Sequence, residues 1–146
     1  MSVNTIAIVV GRLLEIRAEA GYRSRLDVEV VTRAIQGEMK RLPQGASVVI
    51  VADWQLCPVM HEEAAQHLVE QLRSNNPRVE RSAALASQKS PIAVLQFVRL
   101  VREANNPKRR LFYEPKPLIE WLTPVLTPQE ATRLREFLVA GSASPG

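Results

Sequence analysis

Residues Val48 to Leu68 read VVIVADWQLCPVMHEEAAQHL. Ala46 to Ala52 is an apolar, β-branched run of the kind expected for a strand covered on both faces of a parallel or mixed sheet. A short polar turn follows, and Ala64, Leu68 and Leu72 then recur at one helical spacing, so a helix is expected from roughly Val59 to Asn75. This strand, turn and helix define the centre of an α/β sheet. They also raise the question of a site, because ligands gather where strands end in open α/β sheets.

Working outward, Ile6, Ile8 and Val10, then Leu14 and Ile16, alternate about Gly11-Arg12, which predicts a β-hairpin between Asn4 and Gly21. Val28, Val31, Ile35 and Met39 mark an amphipathic helix ended by Pro43 and Gly45. Beyond the central helix, Val79 to Ala86 is a second buried strand, with Arg81 at its exposed start. Ser90-Pro91 opens a third helix that continues to about Ala104. Arg110 to Tyr113 is a short strand, and Leu118, Ile119, Trp121 and Leu122 lie in a helical turn. Thr127-Pro128 starts the last helix, with Glu130 near the positive end of its dipole, and that helix runs to about Val139. The expected fold is therefore α/β: a mixed sheet opened by an N-terminal hairpin, alternating helices and strands, and C-terminal helices. One domain over residues 1–140 and a flexible tail at 141–146 follow from this order.

The chain has 146 residues, 46% of them hydrophobic, enough for one core without cross-links or metals. No run approaches the length of a membrane helix, the N-terminus lacks a secretory pattern, and Cys57 is the single cysteine, so a cytoplasmic protein is expected. Nineteen Lys and Arg against fifteen Asp and Glu leave a net charge of +4, too modest an excess to imply nucleic acid. Its densest run, Lys108-Arg109-Arg110, reads as a solvated loop first and as an anion-contacting patch second. With few aromatic residues, the stacking platform of a single-strand binder is missing.

Asp53 ends the central strand, where a carboxylate would suit a metal or a base. No His, Cys or carboxylate partners lie at ligand spacing, so it is expected to cap the following turn. Trp54 reads as a buried ring rather than a ligand platform. Cys57 would need a base to act as a nucleophile, and the two histidines, His61 and His67, stand about 240° apart on one helix. A buried thiol and two surface imidazoles are the expectation. Glu62 and Glu63 complement the helix dipole and diverge. Six glycines supply neither GxGxxG nor GxxxxGK, which excludes the usual phosphate cradles. No cofactor, metal or catalytic centre is expected.

The third helix carries Ile92, Val94, Leu95, Phe97, Val98, Leu100 and Val101, an apolar arc wider than one sheet needs. Either the C-terminal segment covers it or it forms an oligomer or partner surface.

The element order, together with GRLLEIRAEAGY, RSAAL and RLFYEPKPLIEWL, resembles the STAS fold of bacterial anti-sigma-factor antagonists, especially its STAS/SEC14-like relatives. In phospho-switched members a Ser or Thr stands at the start of the helix after the central strand. Here the matching stretch is Asp53-Trp54-Gln55-Leu56-Cys57-Pro58, with no hydroxyl residue from Asp53 through Leu72. The resemblance therefore implies a regulatory fold that has lost its acceptor. The expected function is a non-enzymatic regulatory or scaffolding domain in bacterial signalling that binds another protein, with a homodimer as one form. The candidate contacts are Asp53, Trp54, Cys57, His61, Phe97, Leu100, Lys108, Arg109 and Arg110. The alternatives are a small apolar ligand, as in lipid-binding relatives, and, behind it, a cysteine-dependent enzyme.

Overall fold

The computed structural model describes residues 3–142. A β-hairpin opens the fold, with β1 (Asn4–Ile8) antiparallel to β2 (Leu13–Ala18). Then follow α1 (Arg25–Met39), β3 (Val48–Asp53), α2 (Glu62–Asn75), β4 (Val79–Leu85), α3 (Pro91–Glu103), β5 (Arg109–Phe112), α4 (Pro115–Leu122) and α5 (Pro128–Ser142). The sheet order is β1-β2-β3-β4-β5, and β2 through β5 are parallel. This is the expected mixed α/β sheet.

Each crossover from β2 to β5 steps one strand in the same direction, so right-handed connections put α1, α2 and α3 on one face. Strand alternation then sorts the apolar residues into two cores. Leu14, Ile16, Val48, Ile50, Ala52 and Ala84 pack with α1, α2 and α3. Their neighbours Leu13, Val49, Val51, Ala83 and Leu85 pack with Leu118, Leu122, Leu134 and Phe137 of α4 and α5. The C-terminal helices thus close the opposite face of the sheet and leave α3 uncovered on its outer side.

Several boundaries move, each for a local reason. Ala46 stays outside β3 because its carbonyl accepts from Arg78 Nη2 at 2.8 Å. Arg81 is mid-strand rather than at an exposed start; its guanidinium donates to the Trp121 carbonyl and lies 5.1 Å from the Trp121 ring. Ser90 accepts the Val94 amide through its carbonyl without a side-chain cap. Glu130 does more than complement a dipole. It is buried, exchanges hydrogen bonds with Thr127 and accepts the Arg12 amide at 2.8 Å, tying α5 to the hairpin turn. The last helix also passes Val139, so Gly141 and Ser142 belong to α5 rather than to a tail. The remainder of the expected tail, 143–146, lies outside the described residues.

Candidate functional site

The C-terminal end of β3 leads into the loop Trp54–His61, which is built by backbone and side-chain clamps. Asp53 Oδ1 accepts the Gln55 amide at 3.1 Å, the turn cap expected from its position. Its other oxygen pairs with Arg17 of β2. Arg17 in turn donates to the Phe137 carbonyl at 2.7 Å, and its guanidinium lies 4.1 Å from the Phe137 ring. The end of β3 is therefore a buried ion pair locked beneath α5.

Trp54 is buried against Phe97 with ring centroids 4.9 Å apart. Cys57 is 3% exposed, and burial pushes its thiol up to about 12. Tyr22 shares the cluster; burial first, then the Cys57 thiol, raise its phenol, while the Trp54 indole acts in the opposite direction. A thiol so desolvated is not a thiolate near neutral pH. His61 is the exposed N-cap residue of α2 and makes no side-chain cap bond. His67 contradicts the surface expectation. It is buried between α1 and α2, with Nε2 3.7 Å from Glu29 and Nδ1 3.5 Å from Glu70. Among the described residues no three His, Cys, Asp or Glu converge as metal ligands would.

Val59 and Met60 carry no regular secondary structure, and extended backbone at His61 delays α2 to Glu62. The Gln96 side chain of α3 holds Met60 by both backbone groups, and Arg99 of α3 reaches Glu62 at 2.9 Å. Gly21, at φ 77°, presses on the other side of the loop, where a Cβ would sit 2.7 Å from Pro58. Loop and helix are consequently one surface.

The apolar arc of α3 divides cleanly. Phe97 and Leu100, each 1% exposed, are core, and so are Asp53, Trp54, Cys57 and Arg109. These six are corrections to the expected contact set, since side chains packed inside cannot meet a partner. On the outer side Ile92 is 69% exposed and Leu95 71%, with Val98 beside them. Leu56 and Val59 of the loop are exposed as well. An open groove of about 460 Å³ separates loop from helix, lined by Leu56, Pro58, Val59, Ser90 and Ile92. Of the two stripes, Ala93, Phe97, Leu100 and Ala104 have the ordinary core spacing; Ile92, Leu95 and Val98 recur every third residue. Nothing in the sequence marks the Gln96 clamp, which depends on tertiary contact.

The basic run also divides. Arg109 is buried in a cage of neutral acceptors, Asn76 Oδ1 at 2.9 Å, Ser82 Oγ at 3.3 Å and the Leu72 carbonyl at 3.1 Å, and burial lowers its guanidinium to about 10. Lys108 and Arg110 are exposed, and Arg110 lies 4.8 Å from the Trp121 ring.

Between the sheet and α1–α3 an apolar cavity of about 50 Å³ remains, bordered by Ile16, Ile35, Met39 and Val101. That is far below the roughly 150 Å³ that admits a benzene ring. No helix among the described residues is long and apolar enough to cross a membrane. Comparison with protein-family models, curated proteins and solved structures gives no match.

Proposed function

We propose that this chain is a non-enzymatic regulatory or scaffolding domain, of the STAS type in bacterial signalling, that binds another protein through the surface shared by the Trp54–His61 loop and α3. The observation that carries this reading is the contiguous exposure of Leu56, Val59, Ile92, Leu95 and Val98 on a rigidly clamped frame. Exposed apolar side chains grouped in one patch are characteristic of interaction surfaces. Rigidity favours binding, because a loop already held in place loses little entropy on association. The buried thiol beside it argues against a nucleophile. A cavity too small for an acyl chain gives the ligand-binding alternative no support.

The test starts with affinity capture from the source cells, followed by titration of the purified partner. Leu95→Glu and Ile92→Glu variants are expected to weaken its binding by at least about tenfold, since a charge replaces a desolvated anchor. Unchanged affinity in both variants overturns the reading.

A further inference from the structure

The two edges of the sheet are treated differently. β5 has only four residues, is preceded by exposed Lys108 and carries exposed Arg110, the usual combination of shortness and charge that blunts an edge. β1, reading NTIAI, has no charged residue and no proline, and is flanked by exposed Val3 and Val9. Its hydrogen-bonding parity is visible. The Ile8 amide donates to Glu38 Oε1 at 2.7 Å, so it turns away from β2. By the alternation of an antiparallel ladder, the amides and carbonyls of Asn4 and Ile6 face outward too.

Beside this edge α1 presents exposed Leu26 and Val30, half-buried Ala34, and Gly37, which has open space where a Cβ would be. A groove of about 720 Å³ runs between strand and helix, with Val3, Ile6, Ala20, Val30 and Ala34 among its walls.

We propose that a second copy of this chain occupies this edge, joining β1 to β1 antiparallel to make a continuous ten-stranded sheet. A two-fold axis at Thr5 pairs Asn4 with the partner's Ile6, and Ile6 with the partner's Asn4. This register forms four backbone hydrogen bonds from outward groups and leaves the Ile8 to Glu38 bond intact. The same axis brings the two α1 helices side by side on one face, where Leu26, Val30 and Ala34 cover their symmetry mates and Gly37 permits close approach. A second copy fits this edge because both halves of the interaction, backbone and apolar stripe, are self-complementary. This groove shares no lining residue with the one at α3, so the dimer leaves that patch open.

Sedimentation of the full chain over a wide concentration range is expected to show a monomer–dimer equilibrium. Val30→Glu is expected to shift it to monomer, with a thermal melt equal to that of the wild type at dilutions where both are monomeric, and Leu95→Glu to leave the dimer in place. Amide exchange at Asn4 and Ile6 is expected to slow at least about tenfold from monomer to dimer, with Ile8 unaffected. A chain monomeric at all concentrations overturns the proposal. So does a dimer lost in Leu95→Glu but retained in Val30→Glu, which would place the contact on α3. Ile6 protection that appears only when a different protein is added also overturns it.

Discussion

Gln96 grips both backbone polar groups of Met60, accepting from its N–H at 2.9 Å and donating to its carbonyl at 2.8 Å. A single side chain thereby satisfies two part-buried groups and fixes the loop against α3. Gln96→Ala leaves both unpaired, at a cost of about 1–3 kcal/mol. Urea denaturation measures the loss, and faster exchange of the Met60 amide would locate it in the loop.

Neighbouring positions on α3 are expected to respond oppositely. Phe97 is packed against Trp54, and its truncation to Ala is expected to cost about 3–5 kcal/mol through lost burial and the cavity left behind. Leu95→Ser, on the outer side, should change stability by no more than about 0.5 kcal/mol. Thermal melts of the two variants distinguish the faces; an equal loss in both would show that the arc is buried all round.

These two faces illustrate what was legible in the chain. The element order and the hairpin follow from local period, because alternation and helical spacing are properties of neighbours in sequence. The choice between Leu95 and Phe97 is not local: both belong to one wide apolar arc, and only the placement of α4 and α5 across the sheet leaves one side bare. Arg81 and Arg109 read as solvated charges, yet each finds carbonyl or ring partners that are distant in sequence. Arg109 thus fell into a predicted patch although it serves the interior. Asp53 was legible as a turn cap through its bond to Gln55, two residues on; its pairing with Arg17, thirty-six residues away, was not.

The Arg17–Asp53 pair is nearly enclosed, and Asp53→Ala would leave the guanidinium its bond to the Phe137 carbonyl but no counter-charge. The expected loss is about 3–5 kcal/mol, and adding Arg17→Met should recover part of it, because breaking a buried pair costs more than replacing it. Equilibrium unfolding of the single and double variants gives the coupling directly. Strictly additive losses would mean that the two side chains act independently.

Gly141 lies over the same pair. A Cβ there would come within 2.2 Å of the Arg17 guanidinium and 2.5 Å of the Asp53 carboxylate. Gly→Ala inside a helix ordinarily stabilises by about 0.5–1 kcal/mol. Here the opposite sign is expected, since the Phe137 carbonyl and the ion pair itself prevent the guanidinium from yielding. A lowered melting temperature for Gly141→Ala checks this, and restoration of the usual gain in an Asp53→Ala, Arg17→Met background would identify the clash as its cause.

Cys57 couples stability to pH in a window set by its burial. Its thiol is raised from an ordinary value of 9.0 to about 12, so the folded chain holds this proton more tightly than the unfolded chain. Its contribution is fully present below pH 9.0 and is lost progressively as pH rises to about 12. Tyr22, raised in the same direction, adds to the decline at the alkaline end. Cys57→Ala is therefore expected to flatten the first part of the alkaline slope and leave the later part. The same burial makes native alkylation by iodoacetamide much slower than that of a free thiol, with full reactivity returning in denaturant. Rapid alkylation of the native protein at neutral pH would mean that the thiol is exposed and ionised, and would reopen the nucleophile reading that its present surroundings oppose.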